Sequence, residues 1–344
     1  MEEIIPKKNI EDIFNKRIKI SLEDKNKKLI IDYLYYLLNL NLLDEKVTIN
    51  DLIDRINEHL EEIIFFDEDH EINKKHGRDF KGVTLREKEK GKRILYVRDK
   101  LEYTELTFYH ELTHLLNTTF NTDGSIKSQG LVDSEESGSI FNEVIVQYTA
   151  ERIYNEKYHL TPKLILYSGE EIRMLPNTKA ASNMKNYQMY DSVVSLFLNM
   201  IDIEKEELAR KQFILNNNLL EYINERYNIT MTKIKKIDPE LNIPEKFKEK
   251  NKATTDNKIN LIDYFDYIYL TDVFLYTQPN EAKKLKEGET IDYTNSTVTK
   301  NYSLDIKREN EFYQYLINNS IRCQRILKQF KEEKKEIKKK YKIS

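Results

Sequence analysis

The sequence predicts an α+β fold that is predominantly helical, with a small β-hairpin beside one chemically loaded helix. Three observations point to it. Glycine and proline are scarce, 8 and 6 in 344 residues, which disfavours a fold rich in tight turns. Apolar residues recur at i, i+3 and i+4 through much of the chain. The exception is 80–98, where two β-prone runs flank a polar turn.

In chain order, helices are predicted over 10–20 and 22–43, with Ser21 as N-cap of the second. Thr48 caps a third, whose stripe of Leu52, Ile53, Ile56, Leu60, Ile63 and Ile64 continues to Phe66. His59 lies within it as a surface or core-edge residue, and 67–79, with His70 and His76, reads as a polar connection. Phe80–Leu85 and Arg93–Arg98 then form the hairpin, with Glu89–Lys92 as its turn. A helix from Glu102 to Asn117 follows. The stretch 117–139 has no sustained period and three glycines, and is expected to be a long loop at the rim or lid of a cleft.

Helical periodicity returns over 140–154. It appears again through Val193, Val194, Leu196, Phe197, Met200 and Ile201, and over 204–216 and 217–227. Residues 238–258, with Pro239, Pro244 and many Lys, Asn and Thr, read as a linker. Beyond it, 259–277 is ambiguous, 289–306 alternates like a hairpin, and 308–342 forms a long Lys/Glu-rich helix. The expected division is an N-terminal helical part (1–79), a central core (80–237), a linker (238–258) and a mainly helical C-terminal part (259–344).

Composition narrows the function. Hydrophobic residues are 39% and charged residues 33%, with a net charge of −3, which argues against nucleic-acid and membrane partners. Cys323 is the single cysteine, so metal ligands have to be histidine and carboxylate. The start, Met1 to Lys8, is charged where a signal peptide is apolar, and no run approaches the roughly 18 apolar residues of a membrane span. The expected location is cytoplasmic, although a protein exported without a signal peptide has the same features. Oligomeric state is not legible.

The chemistry centres on His110-Glu111-Leu112-Thr113-His114. Four residues apart on a helix, the two imidazoles stack one turn above the other and reach a single cation, with Glu111 on the adjoining flank. This arrangement suits a zinc hydrolase, with two neutral nitrogens on the metal and a carboxylate to take a proton from water. With 6 histidines and 59 acidic residues, chance supplies the pattern only about 0.02 times. The helix after 140 adds a second oddity: it is apolar over most of its circumference, yet Glu143 sits at the rim of that side and Gln147 one turn on. A buried carboxylate is costly unless paired or bound to a cation, and the two-histidine site lacks one anionic ligand. Asp133, Glu135, Glu136 and Glu151 compete with Glu143 for that place.

The spacing excludes a metzincin, which requires Gly and His where this chain has Asn117 and Phe120. His110-Glu111-x-x-His114, with Phe141-Asn142-Glu143-x-x-x-Gln147 on a later helix, resembles the gluzincin metallopeptidases over about 93–155. The resemblance implies a zincin-like catalytic core, zinc (Zn2+) held by His110, His114 and Glu143, Glu111 as general base, and a peptide or protein substrate. Thermolysin-like members have Asp in place of Gln147, where it orients a ligand histidine. They also place a tyrosine between the second histidine and the glutamate, where this chain has none. Tyr187, Tyr190 and Arg173 are the substitute oxyanion donors. The competing expectation is a non-catalytic binding or regulatory protein on a zincin scaffold.

Overall fold

The structure is a computed structural model, and it describes residues 5–76, 81–86, 92–101, 103–123, 125–130, 132–133, 139–159, 198 and 203–215. Within these the chain is mixed α/β: seven helices, a three-stranded mixed sheet and a second, small antiparallel sheet.

The N-terminal helices form where the apolar spacing places them. In α1 (Lys7–Arg17), Ile10 and Phe14 lie one turn apart and are both buried. Helix α2 (Asp24–Asn39) buries Ile30, Tyr33, Leu34 and Leu37. It starts at Asp24 with Glu23 in the cap position and no side-chain cap, so Ser21 does not cap it. Its end is a Schellman turn: Leu42 N donates to Leu37 O and Asn41 N to Leu38 O, with Asn41 at φ 54°. Helix α3 (Ile49–His59) carries the expected Thr48 cap as a full capping box, Asp51 N donating to Thr48 Oγ1 and Thr48 N to Asp51 Oδ2.

Helix α3 stops at His59, and the chain continues as β1 (Leu60–Phe66). The sequence stripe suggests helix as far as Phe66. A short run of Leu, Ile and Phe satisfies either period, and pairing with another strand decides it. After the short helix α4 (Ile72–His76) come β2 (Gly82–Arg86) and β3 (Arg93–Arg98), which pair antiparallel as the expected hairpin. Strand β1 joins β3 in parallel, giving the order β1-β3-β2, so one sheet includes strands from both sides of residue 79.

Helix α5 (Thr104–Leu116) lies against this sheet. Leu95 and Val97 are fully buried and Phe65 stacks on Phe108 at 6.2 Å. The expected loop after α5 instead holds β4 (Thr118–Phe120), β5 (Ile126–Gln129) and β6 (Val132–Asp133), in an antiparallel sheet. Strands this short carry too little alternation to be read in one dimension. Helix α6 (Ser139–Lys157) packs across α5, and α7 (Lys205–Lys211) across α6.

Polar bonds in dry surroundings fix α5 among its neighbours. The Tyr33 hydroxyl bonds Thr113 Oγ1 at 2.8 Å, and Arg55 Nη1 donates to Leu116 O at 2.8 Å. Asp32, fully buried on α2, pairs with Lys157 Nζ at 2.8 Å and with Lys7, while Lys157 also pairs with Glu105 of α5. That network joins α1, α2, α5 and α6; removing one partner of a buried pair costs about 3 kcal/mol or more. No described helix is long and apolar enough to cross a membrane. The expected linker, C-terminal part and helix 217–227 lie outside the described residues, as do Tyr187, Tyr190 and Arg173.

Replacing Thr48 by Ala is expected to destabilise the fold by about 1 kcal/mol, read from the urea midpoint at neutral pH. The Thr48 side chain, then its backbone N–H, hold the Asp51 carboxyl below its ordinary 3.8. That stabilisation is present above the ordinary value and lost as pH falls through the lower, folded one. The gap between wild type and Thr48→Ala should therefore narrow below about pH 4.

Candidate metal centre

Helix α5 is buried around its circumference: Leu106, Phe108, Tyr109, Leu112, Leu115 and Leu116 are all at most 1% exposed. His110 and His114 sit in that helix at 7% and 6% exposure, their rings edge to face with centroids 4.7 Å apart. Their Nε2 atoms are 3.0 Å apart. Glu143, half-buried on α6, reaches both: Oε2 lies 3.3 Å from His110 Nε2 and Oε1 3.2 Å from His114 Nε2. The expected trio is thus brought together, and among the described residues it is the one His/Cys/Asp/Glu group whose ligand atoms converge for a metal ion.

The spacing can be tested against a cation. An ion about 2.0–2.1 Å from each of three tetrahedrally arranged N and O donors sets those donors about 3.3 Å apart. The three separations match this within a few tenths of an ångström, and the donor set, two imidazoles and one carboxylate, suits zinc. Burial would raise the Glu143 carboxyl, but the attraction of His114 and hydrogen bonds from both histidines hold it well below the usual carboxylate range. It is therefore an anion facing two ring nitrogens.

The outer contacts set the imidazole protons. His110 Nδ1 is 2.9 Å from Gln147 Oε1, while Gln147 Nε2 donates to Glu151 at 2.8 Å. Glu151 accepts only, so the Gln147 amide presents its oxygen to His110 and takes the Nδ1 proton, and with a cation bound the Nε2 lone pair would face the trio. At His114 the partner is Gln129 of β5, its amide 2.8 Å from Nδ1. Gln129 faces the ring with its Nε2; a cation on His114 Nε2 would put the ring proton on Nδ1, and Gln129 would hold it through Oε1 once its amide turned over.

Glu111 stands apart from the trio on the sheet side. Thr84 Oγ1 of β2 donates to its Oε2 at 3.2 Å. Burial pushes the Glu111 carboxyl up to about 7, with the charge of Glu143 adding to the rise and His110 and Thr84 opposing it. Strand β2 comes this near because residue 82 is glycine: a Cβ there would lie 2.8 Å from Thr107 Cγ2 and 2.9 Å from Glu111 Cγ. Gly130 does the same on the other side. At φ +58°, its N donates to Asn117 O at 2.7 Å, and a Cβ would lie 2.3 Å from Asn142 Oδ1, which places Gln129 beside His114.

The rival carboxylates separate as well. Glu151 bonds Gln147 rather than joining the trio, Asp133 belongs to β6, and Glu135 and Glu136 lie outside the described residues. His70 Nδ1 accepts from Ile72 N in a turn, and His59 stands edge-on to Phe120 at 4.6 Å. Sequence reasoning passed over Gln129, Thr84 and Gly82. A lone Gln in a four-residue strand carries no one-dimensional signal, and the two β2 residues acquire meaning only through packing. Searches of protein families, curated proteins and solved structures return no match to the chain.

Gln147→Leu should weaken zinc binding by about 10- to 100-fold, measured by competition with a chromophoric chelator. An unchanged affinity would remove Gln147 from the site.

Proposed function

We propose that the chain is a zinc-dependent peptidase of the gluzincin type, hydrolysing peptide bonds within a peptide or protein substrate. The observation that carries this reading is the meeting of His110, His114 and Glu143 at the edge lengths of a coordination tetrahedron, with a buried carboxylate, Glu111, one residue from the first ligand. A purely structural ion has no use for a base at that position, which favours the enzyme over a binding protein built on the same site.

Zinc held by the trio would supply polarisation of the scissile carbonyl and a water of lowered pKa. Glu111 accepts the proton of the attacking water and delivers it to the leaving nitrogen, in the general base and then general acid role. Burial by itself raises its carboxyl, and a divalent charge beside it would draw the pKa back down towards the ionised form a base needs. Thr84 holds Oε2 from the sheet side and keeps the carboxylate in one orientation.

Strand β2 aligns the substrate. It is an edge of the described sheet, so its outer N–H and C=O groups are available to an extended peptide, and Gly82 brings that edge against Glu111. Tyr187, Tyr190 and Arg173 are the candidates for donors to the developing oxyanion.

Glu111→Gln is expected to retain one zinc per chain by elemental analysis while hydrolysis of a peptide library falls by at least about 100-fold. Wild-type activity in that variant would refute the base assignment. His114→Ala and Glu143→Ala should each lose the zinc. Gly82→Ala should keep the metal and lower kcat, because the added methyl displaces Glu111 and leaves the ligands in place.

A further inference from the structure

Arg86 closes β2 and Arg93 opens β3, directly opposite one another in the antiparallel register. Opposed residues share a sheet face. Thr84, two before Arg86, reaches Glu111 on α5, and Leu95, two after Arg93, is fully buried against the same helix. Both guanidiniums therefore leave the sheet on the side that carries Glu111.

Arg93 is 8% exposed and its Cζ lies 4.1 Å over the Phe120 ring. Among the described residues its guanidinium has no ion pair and no hydrogen bond, and exposed Arg86 has none either. Like charges directly opposite destabilise a ladder, and a buried charge without a counter-ion is costly. The surroundings add positive charge. Arg55 and Lys92 are near enough to His59 to act on it together with Arg93.

The described carboxylates nearby have other partners. Asp51 belongs to the α3 capping box, Glu58 pairs with His59, and Asp123, exposed in the β4–β5 turn, accepts from Ser125 and feels the charge of Arg86 without pairing with it. Burial, then the charge of Arg86, draws the Arg93 guanidinium down to about 10, as expected for positive charge with no anion beside it. The Phe120 ring supports one face of that guanidinium, whose N–H fork has no partner among the described residues; such a fork suits a carboxylate.

We propose that Arg86 and Arg93 form a subsite for an acidic side chain, Asp or Glu, of the peptide substrate, about four residues from the scissile bond. The spacing follows from the strand: Gly82 abuts Glu111 and Arg86 is four residues on, about 13 Å at strand rise, and a peptide paired along β2 keeps that rise. The subsite gives the proposed peptidase a preference for acidic substrates, and it rests on that reading for the orientation of the peptide.

The test uses full-length, zinc-loaded protein and C-terminally amidated fluorescent peptides carrying Glu or Gln at each position three to five residues either side of one cleavable bond. Binding is read by anisotropy and cleavage by kcat/KM. At one such position Glu should be favoured over Gln by about 10-fold in both readouts, and the ratio should collapse towards one in Arg86→Gln and in Arg93→Gln. Arg86 is exposed, so its variant tests the subsite without disturbing the core. Cleavage with equal Glu and Gln ratios everywhere overturns the subsite and leaves the peptidase standing. A binding preference lost in both variants, without any cleavage, upholds the subsite and overturns the peptidase. A preference that appears only when the C-terminus is a free carboxylate overturns the side-chain assignment.

Discussion

Three side-chain atoms, two ring nitrogens and a carboxylate, must be held about 3 Å apart where little water can intervene, and two of them come from a different helix than the third. His110 and His114 obtain their mutual spacing from one turn of α5. The approach of Glu143 depends on how α6 crosses α5, so a small slide of one helix would open the site. The structure answers with bonds rather than with apolar packing alone. Lys157 on α6 meets Glu105 on α5 and Asp32 on α2, while Gln212 spans Asn117 after α5 and Thr149 on α6. Polar pairings in dry surroundings narrow the arrangements open to the helices, and this rigidity would let side chains on separate helices share an ion.

The two sheets serve α5 from opposite directions. The larger one presents β2 to Glu111 through Gly82 and Thr84, and the smaller presents β5 to His114 through Gly130 and Gln129. In both cases a missing Cβ lets backbone approach the helix more closely than any side chain would permit. Glu111 and His114 are thus steadied by strands, and Glu111 lies beside an edge strand of the described sheet. On the peptidase reading, the alignment of an extended chain, the position of the proton acceptor and the arginine pair at the far end of β2 belong to one surface.

Much of this was legible beforehand, and the residues explain why. His110, Glu111 and His114 are separated by helical steps, so their relation follows from the period of one element. Glu143 was readable because a carboxylate in an otherwise apolar helix is conspicuous, and Gln147 because it stands one turn further along. The capping box at Thr48 and the hairpin of β2 and β3 rest on local chemistry and local pairing in the same way. The misreadings have a different character. Leu60 to Phe66 continue the stripe of α3 until β3 offers a partner, and β4 to β6 are too short to show alternation. Ser21 is a good cap in composition, but the helix begins at Asp24.

The chain's one-dimensional pattern, taken alone, determined the ligand types, their order and the helices that bear them, because these depend on contacts within a turn or two. Tertiary structure alone decided which carboxylate meets the histidines, which amides contact their rings and which strand lies over Glu111. Those relations join residues from 15 to 37 positions apart, and the free energy that selects them comes from burial and pairing between elements, which no local spacing encodes.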